Sequence, residues 1–185
     1  MILCNNCIEE LNDLAAFGKI IKSPKQMPKK VSHTPIDKEW KEWIKQKFWA
    51  TNYEGKIAHN LLPLLELRDF LLGFGGEEVC LPAHESDLEN ILSRGQLWYG
   101  DRVEFMKGEP CECHRNTCYL WLGNKARILI ATGYALSDDG MWRQHTWGVY
   151  PQKKKIIETT VERVLYFGFV MNLEKSENFT FLNTI

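Results

Sequence analysis

Apolar residues recur at helical spacing through the first part of the chain. In residues 8–21 they fall every three or four positions, which predicts a helix with one apolar face: Ile8, Leu11, Leu14, Phe17 and Ile21. Residues 22–35 contain three prolines and four lysines and predict a solvated connection. A second amphipathic helix is predicted to follow, because Thr34 can cap it, Pro35 fits its first position and an apolar stripe runs along it: Trp40, Trp43, Ile44 and Phe48.

Two more helices are predicted before residue 97. Asn60 to Phe74 is a strongly apolar helix that ends in a glycine-rich segment. A shorter helix begins at Ser86, where Ser86-x-x-Glu89 forms a capping box, and ends at Gly95. Residues 1–96 are therefore predicted to form an N-terminal helical region, with a linker at about 22–35.

The pattern changes at about residue 97, where short runs of β-branched and aromatic residues replace the helical spacing. They predict strands over residues 127–135, 143–150, 155–160 and 165–171, with turns at 137–140 and 151–154. Because helices come first and antiparallel strands follow, the order indicates an α+β fold and not alternating βαβ units. We expect residues 1–96 and 97–185 to form one compact unit.

Length, composition and charge narrow the class of protein. A chain of 185 residues fits one domain, and 44% hydrophobic with 25% charged residues excludes wholesale disorder. A net charge of -1 argues against nucleic acid or an anionic membrane as the main partner. No apolar run reaches the roughly 18 residues of a membrane span, and the first residues lack the basic start of a signal peptide. A cytoplasmic location is therefore expected, where the six cysteines are predicted to be buried, metal-bound or catalytic.

The densest group of reactive residues runs from Cys111 to Cys118 and reads Cys-Glu-Cys-His-Arg-Asn-Thr-Cys. It precedes an apolar stretch ended by Gly123, which predicts a loop that enters a helix with Cys113 in its first turn. The helix dipole and the unpaired N–H groups of a first turn favour the thiolate, which is the nucleophilic form of cysteine. His114 is adjacent to Cys113, but we expect it to point to another side of the helix.

A nucleophilic cysteine needs a base and a group that orients the base. His145 lies in the second predicted strand and Glu158 near the end of the next one, so the turn at 151–154 brings them side by side. His145 shares its strand face with Arg143 and Trp147. A helix with cysteine, a strand with histidine and a neighbouring strand with an acid follow each other in this order in papain-like thiol enzymes.

The motifs in residues 111–168 make this likeness more specific. They run in one order along the chain: Cys113-His114-Arg115-Asn116-Thr117, Gly133-Tyr134-Ala135, His145-Thr146-Trp147, Ile156-Ile157-Glu158-Thr159-Thr160 and Tyr166-Phe167-Gly168. In this order and spacing the stretch resembles bacterial and phage-associated proteins of the papain-like superfamily, in the NlpC/P60 and transglutaminase-like neighbourhood. Glu158 stands where that pattern usually has Asp, and Thr159 where it has Pro.

The resemblance implies a papain-like core over residues 97–185, in which a helix bearing the cysteine packs on a sheet bearing the histidine and the acid. It implies a thiol-dependent hydrolase or acyltransferase that cleaves an amide or ester bond in a peptide or small molecule, without a cofactor. In that chemistry His145 takes the proton of Cys113, Cys113 attacks the acyl carbon, and water or an amine resolves the thioester. Glu158 holds the imidazole and stabilises its protonated form.

Other residues are candidates for binding the substrate. The backbone N–H of Cys113 is the default donor to the oxyanion, and Asn116 and Gln144 are side-chain candidates. Three more are candidates for the wall of a substrate cleft, with a place in the core or on the surface as the alternative for each: Trp147, Tyr134 and Arg143.

A second class of function is a catalytically inactive binding or regulatory module of the same fold, with a structural zinc. Cys4-x-x-Cys7 has ligand spacing, and cysteines of both halves are candidates for the soft ligands that zinc prefers: Cys4, Cys7, Cys111 and Cys118. A redox disulfide within either half is a third use of the same residues. The sequence does not determine the oligomeric state.

Overall fold

The computed structural model describes residues 19–20, 38–39, 42, 62–82 and 84–185. Within them, an eight-stranded curled sheet and four helices with described bounds form an α+β fold, as the sequence predicts. No helix in this part of the chain is long and apolar enough to cross a lipid bilayer.

The helices and strands follow each other along the chain with mostly short connections. The helices are α1 (Leu62–Phe74), α2 (Leu88–Arg94), α3 (Cys113–Asn124) and α4 (Leu173–Thr184). The strands are β1 (Lys19–Ile20), β2 (Glu78–Cys80), β3 (Gln96–Tyr99), β4 (Val103–Phe105), β5 (Leu129–Leu136), β6 (Met141–Tyr150), β7 (Lys155–Glu158) and β8 (Leu165–Val170).

The sheet has the order β1-β3-β8-β5-β6-β7-β4, and β2 also pairs with β6. The pairs β2·β6 and β4·β7 are parallel, whereas the other pairs are antiparallel. The four strands predicted after residue 126 are thus confirmed as a continuous antiparallel set in the order β8-β5-β6-β7.

One edge of β6 is interrupted. On that edge β2 pairs with Met141 to Arg143, and β7 pairs only from Gly148 to Tyr150. Residues 144–147 of β6 therefore lie between two strand partners and pair with neither. His145 lies in this unpaired stretch, which is called the opening along β6 below.

The two faces of the sheet bury separate cores, since side chains alternate along each strand. On one face, helices α1, α2 and α3 pack against rings that include Tyr134, Trp142 and Phe167. The curl of the sheet encloses the other face, where Trp98, Trp147 and Tyr166 pack together. Burying each such ring contributes roughly 1.5–3 kcal/mol or more to folding.

Glycines bring β5 and β8 unusually close beside His145. Gly133 is in register with both His145 and Gly168. A Cβ on Gly133 would lie 2.3 Å from the Phe167 carbonyl oxygen, and one on Gly168 would lie 2.1 Å from that of Thr132. Gly133 and Gly168 therefore place no side chain beside His145, and this leaves space for the neighbouring aromatic rings.

Several predicted elements agree with the structure. The helix predicted over residues 60–74 is present from Leu62. Cys113 is the first residue of α3, as predicted for the reactive stretch. Lys38, Glu39 and Glu42, on the polar side of the second predicted helix, are helical and exposed. The remainder of that helix, the linker at 22–35 and residues 8–18 lie outside the described residues.

Other predictions are wrong. Lys19 and Ile20 form strand β1, not the end of a helix, because they pair with Leu97 and Gln96. The helix expected to begin at Ser86 begins at Leu88, where Asp87 is the N-cap residue and makes no side-chain capping bond. Glu89 is then only the second helical residue, so a capping box does not form.

Candidate active site

A loop closed by side-chain hydrogen bonds holds Cys113 at the first residue of α3. The Asn116 side chain donates to the Glu109 carbonyl at 2.7 Å and accepts from the Glu109 N–H at 3.1 Å. Gly108 packs against this amide so closely that a Cβ there would lie 2.5 Å from the Asn116 Cγ. Cys111 adopts a left-handed conformation with φ of 62°, which turns the chain into the helix. Asn116 thus fixes the loop through its side-chain oxygen and one of the two N–H groups of its amide.

The first turn of α3 lies in the opening along β6. The Thr117 hydroxyl donates to the Thr146 carbonyl at 3.2 Å, where a strand partner would otherwise bond. The His114 Nδ1 lies 2.6 Å from the Thr146 Oγ1. These contacts dock the helix against residues 144–147 and bring Cys113 to His145.

His145 and Glu158 form a buried pair across the hairpin from β6 to β7. The His145 Nε2 lies 2.8 Å from the Glu158 Oε2, and their side chains are 3% and 0% exposed. The last pair in the register is Gly148 with Ile157, so Glu158 follows it on the face shared by Trp147 and His145. The side-by-side placement predicted from the turn at 151–154 is confirmed.

Both oxygens of Glu158 are fully engaged. Oε1 accepts from the Thr159 and Thr160 N–H groups at 2.8 Å each and from the Thr160 hydroxyl at 2.9 Å. Oε2 accepts from the Tyr166 hydroxyl at 3.0 Å in addition to His145. Burial raises the pKa of Glu158, but the bonds and charge of His145 and the Thr160 donors outweigh it and lower the pKa to about 2. Glu158 is therefore an ionised partner for the imidazole.

The thiol and the imidazole stabilise each other's charged forms. Burial raises the pKa of Cys113, but hydrogen bonds and charge from His114 and His145 outweigh it and lower the pKa to about 5. Burial lowers the pKa of His145, whereas its bonds to Cys113 and Glu158 raise it to about 9. Since Nε2 is bonded to Glu158, Nδ1 is the ring nitrogen left available to Cys113. Both shifts favour a thiolate beside an imidazolium.

His114 lies closer to the sulfur than the sequence predicts. Its Nδ1 is 3.9 Å from the Cys113 Sγ, so the expectation that it points to another side of the helix is wrong. Its ring also packs edge-on against Phe179 of α4, with centroids 5.4 Å apart. Tyr166 and Thr160, which bind Glu158, are further residues for which the sequence suggested no role.

The other described cysteines differ from Cys113. Burial raises the pKa of Cys80 to about 11 and also raises that of Cys118. Cys111 is exposed and Cys118 is buried. Among the described residues, no group of three or more His, Cys, Asp or Glu side chains is placed to hold a metal ion. Cys4 and Cys7 lie outside these residues, so the zinc site stays a prediction.

Two predicted binding residues lie on the opposite face of the sheet from His145. The Tyr134 hydroxyl donates to the Glu85 Oε2 at 2.7 Å, and the Gln144 Nε2 donates to the same oxygen at 3.1 Å. Residues 144 and 145 are neighbours in a strand, so their side chains point in opposite directions. Both side chains are bonded to Glu85, and neither makes a hydrogen bond to the Cys113 sulfur.

Trp147 and Arg143 share the face of His145, but neither presents an open surface to Cys113. Trp147 is fully buried, stacks on the imidazole with centroids 6.1 Å apart and meets Trp98 edge-on. Arg143 donates to both oxygens of Asp139, at 2.8 and 2.5 Å. Trp147 thus backs the imidazole, and Arg143 closes the hairpin between β5 and β6.

No protein-family model, curated protein or solved structure matches this chain.

Proposed function

We propose that this protein is a thiol-dependent hydrolase or acyltransferase with a papain-like core, acting on an amide or ester bond of a peptide or small molecule. The observation that carries the proposal is the buried His145–Glu158 pair beside a thiol at the start of a helix. A structural cysteine needs no imidazole locked by an ionised acid, whereas a nucleophile does. Because a free thiolate persists in a reducing compartment, the cytoplasm stays the expected location.

The first half of the reaction follows from the charged pair. The Cys113 thiolate attacks the acyl carbon, the carbonyl electrons move to oxygen, and a tetrahedral oxyanion forms. The N–H groups of a first helical turn have no intrahelical acceptor, so the Cys113 N–H is the donor we assign to that oxyanion. The oxyanion then collapses, and the leaving amine or alkoxide takes the Nδ1 proton of His145.

The second half uses the neutral imidazole that remains. The His145 Nδ1 accepts a proton from water or an acceptor amine, which attacks the thioester and releases the acyl group with regeneration of the thiolate–imidazolium pair. Glu158 stays ionised throughout and keeps Nε2 protonated, so that Nδ1 is the nitrogen that gains and loses the proton.

The longer side chain of Glu158 suits this role. It stands at the last residue of β7, and the Thr159 and Thr160 N–H groups hold its Oε1 so that Oε2 is directed at Nε2. Five donors in all fix one rotamer of a buried carboxylate. A glutamate in place of the usual aspartate is therefore compatible with the third position of such a site.

Acylation by 4-nitrophenyl acetate tests the proposal. We expect rapid acetylation of Cys113, followed by turnover, with the modified residue identified by mass spectrometry. Cys113→Ala should abolish it, and His145→Ala should slow it by at least about a hundredfold. The matched control is Cys111→Ala, which removes an exposed thiol two residues away and should leave the rate unchanged. Acetylation of Cys113 no faster than that of Cys111 would overturn the proposal.

A further inference from the structure

A chain of hydroxyl groups links His114 to the backbone of His145. The His114 Nδ1 lies 2.6 Å from the Thr146 Oγ1, which lies 3.0 Å from the Thr132 Oγ1. The Thr132 Oγ1 in turn lies 3.3 Å from the His145 carbonyl oxygen. Thr132 and Thr146 are 5% and 0% exposed, so they bond within the protein.

Only one arrangement of protons forms all three of these bonds at once. A carbonyl oxygen only accepts, so the single hydroxyl proton of Thr132 is directed at His145. The Thr146 hydroxyl must then donate to Thr132, because Thr132 has no second proton to give. The Thr146 oxygen is left to accept, so the His114 Nδ1 must carry a proton and donate it.

We propose that His114 is a second positioning imidazole of this site, whose Nδ1–H is fixed by Thr146 and Thr132 and stabilises the Cys113 thiolate, while His145 alone transfers the proton. The inference rests on the proposed role of Cys113 as a thiolate nucleophile. It goes beyond that role, because it gives the two histidines that act on the sulfur different tasks.

The geometry separates these tasks. The His114 Nδ1 already bears a proton, so this nitrogen cannot accept the one that Cys113 loses. The His114 Nδ1 lies 2.6 Å from the Thr146 Oγ1 and 3.9 Å from the Cys113 Sγ. The contact with sulfur is therefore the weaker of the two contacts that this N–H makes. His145 has Nδ1 available and Nε2 held by Glu158, so it can both accept and release the proton.

The ionisable groups that act on the sulfur are few. They are His114 from the same helix and His145 from β6, with Glu158 of β7 acting through His145. After burial, the hydrogen bond from His114 is the largest influence on the Cys113 pKa. Removal of His114 should therefore weaken the thiolate without removing the proton-transferring group.

The test compares His114→Leu with His114→Asn. Asn keeps a side-chain N–H near the place of Nδ1, whereas Leu has none. The readout is the pH midpoint of Cys113 alkylation by iodoacetamide, resolved by mass spectrometry. We expect Leu to raise the midpoint by about one pH unit and Asn to retain most of the wild-type value. His84→Leu, which removes an exposed histidine, is the matched control and should leave the midpoint unchanged.

Turnover and the tautomer supply independent readouts. The rate at which His114→Leu is acylated by 4-nitrophenyl acetate should follow its raised midpoint with pH, because His145 still transfers the proton. In the wild-type protein, nitrogen-15 NMR should show neutral His114 protonated at Nδ1, which needs no variant that might fail to fold.

Each outcome bears on one claim. An unchanged midpoint in His114→Leu, an equal rise in Leu and Asn, or an Nε2–H tautomer would overturn the inference. If the midpoint moves with His114 but 4-nitrophenyl acetate is not turned over, the inference stands and the hydrolase proposal fails. If His145→Ala abolishes turnover and His114→Leu has no effect on the midpoint, only the inference fails.

Discussion

Two buried carboxylates lie on opposite faces of the same sheet, and both are bonded by a tyrosine and by a residue of β6. Glu158 accepts from Tyr166 and His145, and Glu85 accepts from Tyr134 and Gln144. The two carboxylates are 0% and 7% exposed. The surroundings of the two acids are thus alike in burial and in the kinds of group that donate to them.

The difference lies in adjacent residues of one strand. Gln144 gives Glu85 a neutral amide that neither gains nor loses a proton, whereas His145 gives Glu158 a titratable ring that reaches a thiol. The same arrangement of acid and tyrosine is therefore structural on one face and reactive on the other. What makes a candidate active site is the imidazole and the sulfur, not the buried acid alone.

The largest predicted difference between the two acids concerns Cys113. Glu158→Gln removes the charge that holds His145 protonated, so the thiolate should become a minor form below about pH 7 and alkylation there should slow by about a hundredfold. Glu85→Gln should leave that rate within about twofold, since Glu85 faces the other core. Equal loss in both variants, measured with site-resolved iodoacetamide labelling, would contradict the comparison.

The stability of the protein at acid pH should depend on Glu158. The pKa of Glu158 is lowered from 4.5 to about 2, so between these values the folded protein binds fewer protons than the unfolded chain. The contribution is complete above 4.5 and is lost as the pH falls through about 2. It is on the order of 3 kcal/mol.

Urea unfolding across this pH range measures the contribution. The difference in free energy of unfolding between wild type and Glu158→Gln should shrink as the pH falls below 4.5. Glu85→Gln supplies the matched control for removing one buried carboxylate by an isosteric change. A pH-independent difference for Glu158→Gln would mean that the acid is not ionised in the folded protein.

The tyrosines form a third matched pair. Tyr134→Phe and Tyr166→Phe each remove one hydroxyl that donates to a buried carboxylate, at a cost of about 1.5–3 kcal/mol in the free energy of unfolding. Only Tyr166→Phe should also slow Cys113 alkylation, by a few fold, because Oε2 then keeps its contact with His145 alone. Chemical denaturation and labelling of the same samples would show whether the stability and reactivity effects separate.

The strands around the candidate site were predictable because their signals are local. Residues 127–171 contain β-branched runs divided by turn residues, and β5 to β8 follow that pattern. The pairing of His145 with Glu158 needed only the turn at 151–154 and the two-residue period of a strand. Cys113 at the start of α3 followed from the loop and the apolar stretch beyond it.

What could not be predicted depends on distant partners. Strands β2 and β4 have three residues each, too few for a period, and gain their structure by parallel pairing with β6 and β7. Helix α4 has little apolar periodicity, and its clearest signal is Asn172, whose side chain accepts from the Lys175 N–H at its N-cap. Glu85 reaches Gln144 across 59 residues of sequence, so nothing local shows that this amide is occupied.

The smallest predicted effect is that of Gln144 itself, which the sequence suggested as an oxyanion donor. Its amide binds Glu85 on the face away from His145, and it is exposed at the strand edge. Gln144→Ala should cost at most about 1 kcal/mol in the free energy of unfolding, the value of one hydrogen bond made by an exposed side chain. The acylation rate with 4-nitrophenyl acetate should stay within about twofold of wild type, whereas loss of an oxyanion donor costs on the order of a hundredfold or more. A loss of that size without a matching loss of stability would mean that Gln144 reaches the oxyanion, and it would contradict the assignment of its amide to Glu85.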